Sequence, residues 1–288
     1  SPYLARTLFE LQEPVVLVDP LWVPMKPALR IQDQDLIRKN PQLASDSLLL
    51  TSFENGLHFL YEVIPSDPRI EAARLFKDKA EFRRRLAREY PQFFFEEHTL
   101  SELDQIDRSR LPYPLILKPA MGISSIGVIR VTGPDQWDSA LAYVRKDLAS
   151  YQRNYSKAVV ADQKFLLEKW IAGTELAIDG YYDDAGVPVV LNILEHPFAS
   201  DTDTSDRLYF TRRAVVRKHL DAVTDFLRRM GSALDLKRFP FHAEVRRGDD
   251  GVITPIEVNP LRFSGLGTTE IAEFAYGINV YEHFFRGL

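Results

Sequence analysis

The chain has 288 residues, and 36 Lys plus Arg against 41 Asp plus Glu give it a formal net charge of −5. Hydrophobic residues make up 45% and charged residues 27%, which is globular composition and excludes a collagen-like or wholly disordered chain. This charge provides no global attraction to nucleic acid or an anionic membrane, and the absence of cysteine excludes disulfides, thiolate metal sites and cysteine nucleophiles.

The first part of the chain has the pattern of a small α/β segment. Two short apolar runs predict buried strands and one stretch predicts a helix, at 15–19, 47–51 and 53–63 respectively. Two prolines within 65–68 then punctuate the chain. We therefore predict a reduced N-terminal α/β segment over 1–68 and a larger domain over 69–288.

The larger part mixes helices and strands without regular alternation. Helical spacing of apolar residues predicts helices at 69–90, 134–148, 220–230 and 271–285. Apolar runs and turn signals predict strands at 115–119, 127–131, 165–168, 176–182, 187–195, 242–247 and 253–259. Because the strands come partly as hairpins, this order favours an α+β fold over a doubly wound sheet.

The strand at 115–119 delivers a lysine to a loop of small residues. Lys118 stands at the mouth of the loop, and backbone N–H groups and two hydroxyls between Gly122 and Gly127 suit phosphate oxygens. A P-loop is excluded, because Val128-Ile129 stands where Lys-Ser/Thr is required. A plain hairpin with a solvated lysine remains the alternative.

Two glutamates flank a short apolar hinge. Glu168 ends an apolar strand, the hinge 169–171 follows, and Glu175 comes after a glycine. The backbone of such a hinge can pair with an adenine edge, and Glu175 can accept from ribose hydroxyls. A strand exit with two exposed glutamates is the alternative.

The hairpin around the Gly248–Gly251 turn gathers acidic groups. With an even loop, the numbers of paired residues sum to 499, so His242 lies opposite Glu257. Glu244 is then a diagonal neighbour of Glu257 on the same face. An odd loop would separate the two glutamates onto opposite faces. A solvent-facing sheet with ordinary charge pairs is the alternative.

Asn259 shares the face of the two glutamates. Two carboxylates and an amide oxygen are a set that suits Mg²⁺, with positions left for phosphate and water. Arg262, three residues further on, could then neutralise a transferring phosphoryl group or an oxyanion. Arg212, Arg213 and Arg217 form a basic cluster that suits a carboxylate substrate, although a solvated helix start and face is the favoured interpretation.

In this order the motifs resemble the ATP-grasp superfamily, of carboxylate–amine ligase type, over about residues 77–285. The resemblance implies an ATP-grasp fold, in which two α+β subdomains grip the nucleotide and a small lid subdomain covers about 112–172. It implies nucleotide contacts from Lys79, Lys118, Gly122, Ser124, Ser125, Gly127, Glu168, Lys169, Trp170, Ile171 and Glu175. It implies a metal set of Glu244, Glu257 and Asn259, with catalytic roles for Arg262 and Lys118.

The resemblance also implies a cytoplasmic, ADP-forming ligase that uses ATP and Mg²⁺, with Mn²⁺ as an alternative metal. Such an enzyme activates a carboxylate as an acyl phosphate and couples it to an amine, or to another nucleophile such as a thiol. The expected partners are small, amino-acid-like molecules, with no nucleic acid and no membrane, and a homodimer is left open. A nucleotide-binding module without turnover and a kinase acting on a hydroxyl remain alternatives.

Two features depart from the family pattern. Many relatives place the arginine second after the asparagine, whereas Arg262 comes third after Asn259. The stretch before position 68 is also short for the Rossmann-like domain that usually precedes the nucleotide domain. We therefore expect either a reduced N-terminal domain or a trimmed chain.

Overall fold

The computed structural model describes residues 2–11, 34–52, 54–120, 127–151, 164–198, 208–265 and 267–288. The helices are α1 Pro2–Leu11, α2 Gln34–Lys39, α3 Gln42–Asp46, α4 Glu54–Val63, α5 Pro68–Lys77, α6 Lys79–Leu86, α7 Leu100–Gln105, α8 Trp137–Tyr151, α9 Arg213–Leu234, α10 Ile271–Tyr276 and α11 Val280–Arg286. The strands are β1 Phe95–Thr99, β2 Leu115–Pro119, β3 Ile129–Val131, β4 Lys164–Lys169, β5 Thr174–Tyr182, β6 Pro188–His196, β7 Phe239–Arg247 and β8 Ile253–Pro260. The predicted strand at 15–19 and the site residues Gly122, Ser124 and Ser125 lie outside the described residues.

These strands form two four-stranded antiparallel sheets. The smaller sheet has the order β1-β4-β2-β3, and the larger one has the order β6-β5-β7-β8. Helices α7 and α8 cover the smaller sheet through a core centred on Trp137, Leu115 and Phe165, all fully buried. Helices α5 and α9 cover one face of the larger sheet.

Strand alternation makes the larger sheet amphipathic. On β7 the side chains of Phe241, Ala243 and Val245 are fully buried in the core beneath α5 and α9. The residues between them are His242 and Glu244, which point to the opposite, polar face. Functional groups are therefore carried on the face opposite α5 and α9, and α11 packs against one end of that face at Tyr181.

The predicted strand at 47–51 is wrong, since this segment is extended but pairs with no strand in the described part of the chain. Thr51 instead donates its backbone N–H and its hydroxyl to the carbonyl oxygen of Leu261, at 2.6 and 3.1 Å. The described residues before position 68 are accordingly helical or irregular. The boundaries of the two predicted units and of the lid stay predictions.

Two predicted helices are each split in two. The helix predicted over 69–90 breaks at Asp78, whose extended backbone ends α5 and whose carboxylate accepts from Glu81 N–H to begin α6. The helix predicted over 271–285 breaks at Gly277, which has a φ of 74°. Capping geometry therefore overrides the apolar spacing at both places.

No described helix is long and apolar enough to cross a membrane.

Gly231 lies where α9 crosses the ring of Tyr182. Gly231→Ala would favour the helix by about 1 kcal/mol, but the added Cβ would collide with the Tyr182 ring. The ring is fixed by a 2.7 Å hydrogen bond from its hydroxyl to the Leu227 carbonyl, so overpacking should outweigh propensity and cost about 1–3 kcal/mol. Urea unfolding measures this, with the exposed neighbour Ser232→Ala as control; a Gly231→Ala protein as stable as the wild type would contradict the close packing.

Candidate active site

Three transverse rows of side chains cross the polar face of the larger sheet, in the strand order β6, β5, β7, β8. They are Asn192–Asp179–His242–Asn259, then Leu194–Ala177–Glu244–Glu257, and finally His196–Glu175–Arg246–Thr254. The metal set predicted from the sequence occupies adjoining positions on β7 and β8 in the first two rows. The site is thus a largely buried, mainly polar face of the sheet, and the two glutamates lie toward the β8 edge.

The predicted register of β7 and β8 is wrong. Glu244 pairs with Glu257 and His242 with Asn259, so the numbers sum to 501 at this end of the hairpin and to 500 near its turn. The loop therefore has five residues rather than the predicted four, which raises the sum from 499 to 500. A bulge after Glu244 raises it by one more, to 501. The odd loop and the bulge each shift the register by one residue, so together they shift it by two. Both glutamates therefore stay on one face, and they are direct rather than diagonal neighbours.

Glu257 is held by a cation from α6. Lys79 Nζ lies 3.0 Å from Glu257 Oε2, and the carboxylate side chain is about one quarter exposed. Burial raises the pKa of Glu257, but the charge and hydrogen bond of Lys79 outweigh it and lower the pKa below its ordinary value. The carboxylate is therefore ionised and already paired with positive charge.

The donor set fits a hard divalent cation. Directly paired residues have Cβ atoms about 4.5–5.5 Å apart, so Glu244 and Glu257 reach a common point, and Asn259 adds an amide oxygen on the same face. No group of three or more His, Asp or Glu side chains placed to hold a metal occurs among the described residues. Two carboxylates and an amide would consequently need oxygens from a ligand to complete the coordination.

Lys118 and Glu168 form a buried ion pair in the smaller sheet. They are diagonal neighbours on β2 and β4, and Lys118 Nζ lies 2.5 Å from Glu168 Oε2. Arg83, from α6, binds the other oxygen of Glu168 and donates to the Pro255 carbonyl at 2.6 Å. Burial raises the pKa of Glu168, but Arg83 and Lys118 outweigh it and hold the pKa at about 2. Arg83 thereby ties the smaller sheet to β8.

The same burial acts in the opposite direction on Lys118. Desolvation lowers the pKa of the Lys118 amine, and Glu168 only partly offsets that effect. Arg83 and Lys79 add repulsion to it, which places both lysines and Glu168 within one electrostatic cluster. The sequence-predicted nucleotide lysines therefore do converge.

The predicted adenine hinge is packed against an arginine of the larger sheet. Arg246 lies over the Trp170 ring at 4.0 Å and donates to the Ile171 carbonyl at 2.9 Å. It also donates to Glu175 Oε2 at 2.8 and 3.0 Å, while His196 Nδ1 lies 2.9 Å from the other oxygen. The predicted ribose ligand is thus engaged by protein groups, and among the described residues about one of its roughly four lone-pair sites is left.

Sequence reasoning missed Arg83, Arg246 and Asp179 as site residues. Arg83 follows Lys79 by four residues on α6, and this spacing puts both on one helix face. Asp179 follows Glu175 by four residues on β5, which places the two carboxylates on the same sheet face. Both spacings can be read from the sequence, but they do not show which residues these side chains contact until the partner strands are known.

The candidate substrate arginines behave differently from one another. Arg212, Arg213 and Arg217 are exposed at the start of α9, which agrees with a solvated helix face. Arg262 is half-buried. Burial and the charge of Arg262 lower the pKa of His242, but Asp179 and Glu244 outweigh them and raise it above its ordinary value, so Arg262 acts on the first row. The loop at 200–206 that precedes the cluster lies outside the described residues.

A family model described as the ATP-grasp domain matches residues 111–270. A D-alanine–D-alanine ligase of Mycobacterium avium (strain 104) is 41% identical over 76 residues, which are 26% of this chain and 17% of that protein. The chain therefore spans a minor part of this curated relative.

Solved structures resemble nearly the whole chain. An L-amino acid ligase from Bacillus licheniformis matches with a TM-score of 0.70 at 23% identity, covering 99% of this chain and 72% of that one. The biotin carboxylase domain of Hydrogenobacter thermophilus 2-oxoglutarate carboxylase, a dimer in complex with MgADP, ADP and bicarbonate, gives 0.63 at 13%, covering 98% and 66%. The predicted α+β class and the ATP-grasp fold are confirmed by these matches.

Proposed function

Because the chain belongs to the ATP-grasp domain family, we propose that it is an ADP-forming ligase that activates a carboxylate as an acyl phosphate and couples it to an amine. The observation that carries the proposal is the direct pairing of Glu244 with Glu257, with Lys79 and Lys118 beside them. Two carboxylates and two lysines at one place provide both signs of charge that a metal–nucleotide complex requires.

In the proposed complex the internal ion pairs are exchanged for nucleotide contacts. Lys79 leaves Glu257 for a phosphate oxygen, and Lys118 shares its charge between Glu168 and the phosphates. Glu244, Glu257 and Asn259 would hold Mg²⁺, with Mn²⁺ as the alternative, and the metal when bound would neutralise phosphate charge. A relative in complex with MgADP supports this choice of ligand.

The nucleotide ring is proposed to lie between the sheets. The hinge formed by Glu168, Lys169, Trp170 and Ile171 offers backbone groups to adenine, and Glu175 offers its remaining lone pair to the ribose. Gly127 and the residues Gly122, Ser124 and Ser125, which lie outside the described residues, belong to the loop proposed over the phosphates. The smaller sheet acts as the lid of the site.

The chemistry needs positioning and charge neutralisation more than covalent help from the protein. A carboxylate oxygen of the substrate attacks the γ-phosphorus and ADP leaves; the amine nitrogen then attacks the acyl carbon and phosphate leaves. Arg262, whose charge acts on His242, would stabilise the anionic charge that develops in both steps. No cysteine is required, in agreement with the composition.

We propose small, amino-acid-like carboxylates and amines as substrates, and a homodimer as the assembly. The L-amino acid ligase and the D-alanine–D-alanine ligase among the similar proteins support this substrate class, and the dimeric relative supports the assembly. Neither proposal depends on the other.

The test is ADP formation from ATP with pooled amino acids and Mg²⁺, followed by deconvolution of the active pool. We expect ADP and phosphate to appear only with substrate, and added hydroxylamine to trap a hydroxamate, because it captures an acyl phosphate and not a phosphate ester. Nucleotide binding without ADP across a broad screen would contradict turnover. ADP formation without hydroxamate would favour a hydroxyl kinase.

A further inference from the structure

Asp179 is a fully buried carboxylate that joins two parts of the site. Its Oδ1 accepts from His242 Nδ1 and from the Ser264 backbone N–H, both at 2.9 Å. Its Oδ2 accepts from the Thr269 hydroxyl at 3.3 Å, and that hydroxyl also lies 2.6 Å from the Ser264 carbonyl. One carboxylate therefore fixes a β7 side chain and both ends of the 264–269 loop.

The partner of Asp179 on β7 reaches the acidic end of the site. His242 is 4% exposed, and its Nε2 lies 3.7 Å from Glu244 Oε1. With one ring nitrogen fixed by Asp179, the other is aimed at a proposed metal carboxylate. This is the arrangement in which an outer group sets the orientation of a ligand.

Arg262 lies two residues before Ser264, so the backbone that Asp179 holds continues directly into the Arg262 loop, residues 261–264. Leu261, just before it, has a φ of 54°, a left-handed conformation that costs a non-glycine residue about 1–2 kcal/mol. Such strain persists only where the surroundings over-determine it. Here Thr51 holds the Leu261 carbonyl from one side and Asp179 holds Ser264 from the other. The backbone is thus held on both sides of Arg262.

We propose that Asp179 and His242 are positioning residues that hold Glu244 and the Arg262 loop in one fixed arrangement. The proposal rests on the proposed ligase function for its kinetic consequences. Its structural half, the anchoring of the loop by Asp179, does not depend on turnover. The two halves are separated by the variants below.

The first arm concerns the loop. Asp179→Ala removes every acceptor, and Asp179→Asn keeps the shape and an acceptor oxygen. Thr269→Val removes the hydroxyl that contacts both Asp179 and the Ser264 carbonyl. The matched control is Tyr182→Phe, which deletes a buried hydrogen bond from the same strand on its core face. Hydrogen exchange of the Ser264 amide should speed up in the alanine and valine variants and stay at the wild-type rate in the control.

The second arm is kinetic. Asp179→Ala should lower kcat by about 10–100-fold, with the KM for ATP changed less than about threefold, and Asp179→Asn should recover part of the loss. His242→Asn keeps a donor for Asp179 but nothing facing Glu244, so it should raise the Mg²⁺ concentration for half-maximal rate without speeding exchange at Ser264. Tyr182→Phe should keep wild-type kcat and Mg²⁺ dependence.

Specific outcomes overturn each half. A wild-type exchange rate at the Ser264 amide in both Asp179→Ala and Thr269→Val would contradict the anchoring of the loop by Asp179. A kcat and Mg²⁺ dependence of Asp179→Ala within twofold of Tyr182→Phe would remove the positioning role. A wild-type protein that forms no ADP in any pool would overturn the proposed function instead, and the exchange data would still decide the anchor.

Discussion

Replacing Glu257 by glutamine together with Asn259 by alanine is expected to lower kcat for ADP formation by at least about 10²–10³-fold. Removal of a single preorganised group that stabilises transition-state charge costs this much in other enzymes, and the double change removes two proposed metal ligands. Glu257 also loses the charge that holds Lys79 at 3.0 Å, so the lysine is freed toward the phosphates. Nucleotide binding without Mg²⁺ should therefore persist.

The control is Glu282→Gln, which removes a carboxylate from a surface pair with Arg286 on α11 and should leave turnover unchanged. The measurement is coupled-assay ADP release, with nucleotide binding followed by titration in the presence and absence of Mg²⁺. Turnover that survives the double change would contradict the assignment of Glu257 and Asn259 as metal ligands. Loss of nucleotide binding in the absence of metal would indicate a folding defect.

The hairpin that carries these ligands shows how far sequence patterns reach. Alternation correctly put His242, Glu244 and Glu257 on one face, because residue type reports which face meets the core. The register was wrong, because a bulge and a five-residue loop leave no separate mark in composition. Faces could be predicted from the sequence, whereas the partner opposite each residue could not.

The same limit applies to helices and to buried charges. Apolar spacing found the regions of α5, α6, α10 and α11 but missed their breaks, which depend on the cap at Asp78 and the left-handed Gly277. The strand predicted at 47–51 failed because its backbone partner is the single carbonyl of Leu261, 210 residues away. Long-range contacts of this kind depend on tertiary packing, which no local pattern encodes.

Ion-pair partners are the clearest case of this limit. Glu168 and Lys118 were both singled out from the sequence, yet their direct contact follows from the diagonal register of β2 and β4. Arg83 completes the pair from a helix that lies 85 positions away from Glu168. The sequence indicated that Glu168 and Lys118 are functional candidates, but only the folded structure shows that their charges neutralise each other.

Arg83→Leu is expected to destabilise the protein by about 3–5 kcal/mol, because breaking a buried ion pair leaves the remaining charge uncompensated. Arg83 and Glu168 are each about 4% exposed, and Arg83 also supplies the donor to the Pro255 carbonyl. The control is Arg84→Leu, the next residue on α6, whose exposed pairs with Glu81 and Glu97 should be worth about 0–1 kcal/mol. Urea unfolding near neutral pH measures both.

The pH dependence separates a lost charge partner from a lost packing contact. Glu168 has a folded pKa of about 2 against an ordinary value of 4.5, so its stabilisation is full above pH 4.5 and is lost as the pH falls toward 2. Without Arg83 the pKa of Glu168 should rise, and stability should begin to fall at a higher pH than in the wild type. Replacing all three members of the cluster, Arg83, Glu168 and Lys118, by leucine should restore much of the stability at neutral pH, since an apolar cluster needs no compensating charge. An Arg83→Leu variant that keeps the wild-type acid profile would show that Lys118 alone neutralises Glu168.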